Sequence, residues 1–198
     1  MLDYQRWFIQ DCIKEGALQF GTYSLKSGRT SPYFFNTGQF NTGRSIYRLG
    51  LAYANAIVNY QIQFDAVFGP AYKGIPLGSA VSIALSEEHD RDMPFSFDRK
   101  EEKDHGEGGG LLGAPLKNRV LIVDDVISSG LSVKRAMSLI SNEGAQTIGV
   151  CIALDREEQG TTRESAAAEI SEQYKIKVYS IIRLSDIVAY LQETGGFS

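Results

Sequence analysis

Val120-Leu121-Ile122-Val123-Asp124-Asp125-Val126-Ile127-Ser128-Ser129-Gly130-Leu131-Ser132 is the stretch on which the reading of this chain turns. Four aliphatic residues without polar alternation predict a central strand covered on both faces. Two carboxylates end it. A turn of small residues with one glycine then opens a helical pattern from about residue 130 to 142, closed at Gly144. In doubly wound sheets, ligands bind outside the carboxyl ends of strands. A loop entering a helix N-terminus presents backbone N–H groups without intrahelical partners and a partial positive charge, which suits a phosphate. Ionised carboxylates only accept hydrogen bonds, whereas the adjacent hydroxyls of a sugar donate them. The segment therefore points to a sugar phosphate, with Asp124 and Asp125 on the diol and the loop on the phosphate. The plainer alternative is an acidic strand end followed by a helix cap.

Elements on either side complete an α/β pattern. The first 17 residues read as a helix with Leu2, Arg6, Ile9 and Ile13 on one face, Phe8 and Cys12 beside them, and Gly16 at its end. Thr22 to Leu25 and Tyr33 to Asn36 predict short strands around a turn at 27–32. Ile46, Leu49, Tyr53 and Ile57 repeat at helical spacing. Ala66-Val67-Phe68 predicts a strand, residues 75–87 a helix of small residues, and 94–98 another strand. Beyond the central segment come a strand at 147–154, a helix at 163–173, a strand at 177–182 and a helix at 186–192 capped by Ser185. Strands alternating with helices imply a mostly parallel sheet flanked by helices.

Composition narrows the function classes. The chain has 198 residues, with 20 basic against 24 acidic side chains, a net charge of −4 and a pI near 5.3. Nucleic-acid binders usually carry a basic excess, so electrostatic capture of DNA or RNA is not expected. Mean hydropathy of −0.17 fits a globular chain that buries about 70% of its open-chain surface. No apolar run reaches the roughly 18 residues of a membrane span. The first residues lack the basic-then-apolar pattern of a signal peptide. Cys12 and Cys151 have no metal-ligand spacing and read as small buried thiols. The cytoplasm is the expected location, with no membrane partner.

The central segment resembles the ribose-phosphate signature of type I phosphoribosyltransferases, which take 5-phosphoribosyl 1-diphosphate (PRPP) as donor. Three further stretches narrow the resemblance to the orotate phosphoribosyltransferase family. Ser27-Gly28-Arg29-Thr30-Ser31-Pro32-Tyr33-Phe34-Phe35-Asn36 is similar to that family's substrate hood, and Gly69-Pro70-Ala71-Tyr72-Lys73-Gly74-Ile75-Pro76-Leu77 to its diphosphate loop. Arg99-Lys100-Glu101-Glu102-Lys103-Asp104-His105-Gly106-Glu107-Gly108-Gly109 is similar to its catalytic lid. Residues 99–110 hold three basic, four acidic, one histidine and four glycine residues and nothing apolar. Such a segment cannot pack into a core by itself, which fits a mobile cover.

The resemblance implies a type I phosphoribosyltransferase fold: an N-terminal helix and hood over residues 1–40, then a PRPP-binding core over 41–198 with a lid at 99–114. It implies PRPP contacts from Lys26, Tyr72, Lys73, Arg99, Lys100, Lys103, His105, Asp124, Asp125, Val126, Ile127, Ser128, Ser129, Gly130, Leu131 and Ser132. Among these, Lys73, Lys103, His105, Asp124 and Asp125 are the expected catalytic set. Orotate would lie against Phe34, Phe35, Ser128 and Arg156, the guanidinium matching its carboxylate. The family places Lys103 and His105 in the partner subunit's site, so a homodimer is expected. It also often has a cis peptide at Ala71-Tyr72. Magnesium (Mg2+) would be held mainly through PRPP, with Asp125 reaching it by way of the ribose or a water.

Leu131 stands where the family commonly has threonine, which removes a hydroxyl from the phosphate loop. Three rivals share parts of the pattern: a phosphoribosyltransferase for a purine base, a PRPP-binding regulator, and a receiver domain. The first is disfavoured by Arg156 and the Phe34-Phe35 pair, the second by the acidic balance, and the third by the two strands that remain after residue 125. A Walker B reading lacks any Gly-x-x-x-x-Gly-Lys-Ser/Thr loop.

Overall fold

A computed structural model describes residues 1–24, 30–99, 110–128, 130–157 and 165–195. Helix α1 (Asp3–Lys14) leads into strands β1 (Leu18–Ser24) and β2 (Thr30–Phe35), then a 3₁₀ turn (Thr37–Gln39) and α2 (Gly43–Asn59). β3 (Ala66–Gly69), α3 (Gly74–His89), β4 (Phe95–Asp98) and β5 (Leu111–Gly113) follow. β6 (Arg119–Asp124), α4 (Leu131–Asn142), β7 (Gln146–Asp155), α5 (Ala166–Tyr174), β8 (Lys177–Arg183) and α6 (Leu184–Thr194) complete the order.

The main sheet runs β5-β4-β3-β6-β7-β8, parallel throughout except for β5, which is antiparallel to β4. From β3 the chain crosses to β4 on one side, and from β6 it crosses to β7 on the other. The direction of winding therefore reverses between β3 and β6. That reversal opens the crevice in which doubly wound sheets bind ligands. With β5 set aside, the five parallel strands follow the relative order 2-1-3-4-5 that receiver domains share, but the acidic pair Asp124-Asp125 ends the third strand of that order, not the first as the opening of a receiver would require.

Both faces of the sheet are covered. On β6, Leu121 and Val123 join a core built with α1, α2, α3 and α6, while Val120 and Ile122 join a second core with α4 and α5. This is the two-sided burial expected of the aliphatic run. α2 and α3 approach closely enough that a Cβ on Gly50 would lie 2.4 Å from the Ala80 carbonyl oxygen. Capping is local: the Thr42 hydroxyl accepts from the Ser45 N–H, opening α2.

Several expectations shift. In α1 the buried residues are Phe8, Ile9 and Cys12, while Leu2 and Ile13 are exposed. The inward stripe is thus rotated from the expected face, because the hood and α2 cover the Phe8–Cys12 side. The hood strands begin earlier than expected, and their separate antiparallel sheet pairs Leu18 with Phe35 and Ser24 with Thr30. β5 lies inside the segment expected as lid, where three residues pair with β4 without a detectable sequence period. Ser185 does not cap α6. Arg183 precedes the helix, and its N–H donates to the Asp186 carboxylate at 2.8 Å. His89 ends α3, and its Nε2 is buried without a hydrogen-bond partner among the described residues. Cys12 and Cys151 are buried free thiols, and burial pushes Cys151 up to about 12. Among the described residues no helix is long and apolar enough to cross a membrane.

Candidate active site

At the carboxyl end of β6, Asp124 and Asp125 are both buried. A buried carboxylate must be hydrogen-bonded or paired, and each is. Asp124 accepts the Ser132 hydroxyl at 2.8 Å and the Asp125 N–H at 2.9 Å. Tyr53, fully buried on α2, donates its hydroxyl to the Asp124 carbonyl at 2.7 Å. Asp125 accepts from the Val126 N–H at 2.8 Å and from the Lys73 ammonium at 2.6 Å, with the Thr37 hydroxyl at 3.4 Å. Burial, and then the charge of Asp125, raise Asp124 from 3.8 to about 6 against the opposing Ser132 hydrogen bond. The Ser132 hydroxyl proton is thus directed at Asp124.

The loop after Asp125 turns sharply into α4. Val126 is half-buried, Ile127 anchors in the second core, and Ser128 faces solvent. Gly130 has φ +70°, and a Cβ there would meet Ile170 Cδ1 at 2.5 Å. Glycine is thus required twice over, by conformation and by space. Leu131, the first residue of α4, is 68% exposed.

Opposite lies the turn after β3. Its ends close on each other: a Cβ on Gly69 would sit 2.0 Å from the Gly74 carbonyl oxygen, and one on Gly74 would sit 2.6 Å from Pro70 Cδ. The Ala71-Tyr72 peptide is cis. Tyr72 is exposed, and Lys73 reaches across to Asp125. Sequence reading missed the residue that holds this turn. Asp98, at the end of β4 and 3% exposed, accepts the Ala71 N–H at 2.6 Å and lies 3.3 Å from Arg135 on α4. Arg135 also donates to the carbonyl of half-buried Arg99 at 2.7 Å. An acidic residue ending a short strand was the available signal.

On the hood side, neighbouring strand residues point to opposite faces. Phe35 is 8% exposed and belongs to the core, whereas Phe34 is 39% exposed and lies against Tyr23, with centroids 5.5 Å apart. The two phenylalanine side chains therefore do not line one pocket as a pair. Tyr33, buried beside them, was overlooked. Its hydroxyl accepts from Arg156 Nε at 3.1 Å, and the guanidinium lies 5.2 Å from its ring. Arg156 follows β7, and the next residue fixes its turn: Glu157, at φ +49°, accepts from the Ser185 N–H at 2.8 Å and hydroxyl at 3.2 Å.

The structure brings Lys73, Asp124, Asp125 and Ser132 together, with Arg99 tied to the neighbouring turn through Arg135. Lys26, Lys100, Lys103, His105 and Ser129 lie outside the described residues. No three of the described His, Cys, Asp and Glu residues gather into a metal site.

Residues 36–181 match the family model described as the phosphoribosyl transferase domain, so this chain belongs to the phosphoribosyltransferase family. Its branch is that of the orotate phosphoribosyltransferases. The orotate phosphoribosyltransferase of Pectobacterium carotovorum is 53% identical over 98% of this chain and 91% of its own length. That of Thioalkalivibrio sulfidiphilus is 52% identical over 99% and 92%. The crystal structure of the Francisella tularensis orotate phosphoribosyltransferase superimposes with a TM-score of 0.86, at 39% identity, over 94% of this chain and 90% of that one.

Proposed function

We propose that this chain transfers the 5-phosphoribosyl group from PRPP to N1 of orotate, giving orotidine 5′-monophosphate and diphosphate, a step of pyrimidine nucleotide synthesis. The observation that carries the reading is the adjacency of two motifs across the sheet's reversal point: Lys73 contacts Asp125 at 2.6 Å, although 52 residues separate them.

The C1–N1 bond forms as the C1–oxygen bond to diphosphate breaks, with inversion and release of the N1 proton. The reacting carbon passes through an oxocarbenium-like state, as at other glycosidic centres. Asp124 and Asp125 accept the two ribose hydroxyls, and their charge opposes the positive ring. The loop from Val126 through Ile127, Ser128, Ser129 and Gly130 to Leu131 and Ser132 holds the 5′-phosphate, chiefly through backbone N–H groups. Lys73 and Tyr72 face the diphosphate, together with Arg99, Lys100, Lys103 and His105. Lys26 meets the same donor. Lys103 and His105 act from the partner subunit, which makes the working unit a homodimer. The part of the expected lid that precedes β5 would cover the site and exclude water that would hydrolyse PRPP. Orotate lies under the hood, with Phe34, Phe35 and Ser128 nearby and its carboxylate on Arg156.

Magnesium would be held mainly through PRPP, because a hard cation binds through substrate phosphates and few carboxylates. The buried carboxylate of Asp125 would meet it by way of the ribose or a water. When bound, it would supply charge that offsets the diphosphate. The reaction belongs in the cytoplasm, without nucleic-acid or membrane partners.

A spectrophotometric assay of orotate loss tests this reading, with PRPP and Mg2+ present and then omitted in turn. Loss that needs both is the expected result. Orotate unchanged in the complete mixture would overturn the proposal.

A further inference from the structure

We infer that Asp98 and Arg135 are positioning residues for the donor's diphosphate side, a role that rests on the phosphoribosyl-transfer reading above. The starting observation is an expensive arrangement. A carboxylate that is 3% exposed is stable only when its oxygens are met by donors. The donors of Asp98 come from two different parts of the site. Oδ1 accepts the Ala71 N–H at 2.6 Å, and Oδ2 lies 3.3 Å from Arg135 Nε. The same guanidinium donates through Nη2 to the Arg99 carbonyl at 2.7 Å. One side chain of α4 therefore grips the carboxylate of residue 98 and the backbone of residue 99 together.

The consequence is geometric. Ala71 lies two residues before Lys73, within a turn whose ends are already closed on each other at Gly69 and Gly74. Fixing the Ala71 amide limits where the Lys73 ammonium can stand. Arg135 lies on the first turns of α4, the helix entered by the phosphate loop at Gly130. Through Asp98, the turn bearing Lys73 is thus referenced to the element bearing the phosphate site. Misplacing a charge-stabilising group by about 1 Å can cost a hundredfold in rate, so a rigid tie between the two ends of the donor has a chemical use. A neutral acceptor at 98 would hold Ala71 equally well. The carboxylate is needed for the link to Arg135.

The test compares Asp98→Asn, Arg135→Ala, Arg135→Lys and the Asp98→Asn/Arg135→Ala double variant in steady-state kinetics, with melting temperatures measured alongside. Each single change to Asn or Ala is expected to raise the PRPP KM about tenfold while the orotate KM stays within about twofold. The double variant should be no worse than the poorer single one, because both cut the same link. Arg135→Lys should recover part of the loss. Equal changes in both KM values, no change, or additive effects would each overturn the inference. Arg135 is half-exposed, so its variants carry the test if Asp98→Asn does not fold. If the wild-type chain fails to consume orotate, the functional reading falls first. Calorimetric PRPP binding by the same variants then decides: weakened binding supports the tie, and unchanged binding removes it.

Discussion

Lys73 places its ammonium 2.6 Å from the Asp125 carboxylate, joining the turn after β3 to the acidic end of β6. The pair satisfies two charges to which the proposed mechanism gives separate roles. Asp125 is nearly buried and Lys73 about half exposed, so the lysine is the partner free to turn toward an incoming diphosphate. Lys73→Ala should lower kcat by about 10²–10³, on the scale of losing one preorganised donor to developing charge. Stopped-flow or steady-state orotate consumption checks this, and a change below about threefold would remove Lys73 from the chemistry.

The raised Asp124 predicts a trade between stability and activity. Its folded value of about 6 lies above the ordinary 3.8, so between about pH 4 and 6 the folded state holds a proton that the unfolded chain has released. Stability from this group is therefore greatest below about pH 4 and is lost as pH rises toward 6, by about 2–3 kcal/mol in all. Asp124→Asn removes the buried charge. Relative to wild type, it should gain stability at pH 7.5 and show no gain near pH 4, as read by urea midpoints. Its affinity for PRPP should nevertheless fall, because an amide accepts the ribose hydroxyls less strongly. In the wild-type enzyme, kcat/KM for PRPP should decline below about pH 6 as Asp124 takes up its proton.

Arg156 is oriented by Tyr33 through a hydrogen bond of 3.1 Å and the ring beneath it. Lysine cannot reproduce a planar two-point grip on a carboxylate. Arg156→Lys should raise the orotate KM about tenfold and leave the PRPP KM within about twofold. Equal losses for both substrates would count against its place in the pyrimidine pocket.

Gly130→Ala should destabilise the chain by about 1–2 kcal/mol, since an L-residue is strained in the left-handed region and its Cβ would meet Ile170. The same substitution should raise the PRPP KM by deforming the phosphate loop. A urea midpoint and PRPP KM both unchanged would show that this turn tolerates a side chain and that the loop is less constrained than the packing implies.

Much of this was local in the sequence and therefore readable. The run Val120–Val123 announces a buried central strand because aliphatic residues without alternation need cover on both faces, and the structure supplies two cores for it. The Asp124-Asp125 pair and the small-residue turn are contiguous, so their chemistry could be argued before any tertiary contact was known. Phe34 and Phe35 show the limit of reading a motif without its pleat. Adjacent strand positions face opposite ways, and the register with β1 decides which of them meets the core. Tyr33 and Arg135 carried no signature of a site role, Asp98 only that of an acid ending a short strand, and Tyr53 only that of a core position, because each matters through a distant partner.

The amino-acid order alone determined most of the strands and helices, β5 apart, and marked the loop whose composition suits a phosphate, since propensity, periodicity and capping act over a few residues. Strand order was decided only in the folded chain. Parallel pairing is non-local, and nothing near Lys73 or Asp125 states that β3 and β6 are neighbours with the chain departing from them in opposite directions. That reversal is what sets the two turns across one crevice. It is also why the site's electrostatics, including the raised Asp124 and the Asp98–Arg135 tie, belong to the tertiary structure: each depends on burial and on charges brought together from remote parts of the chain.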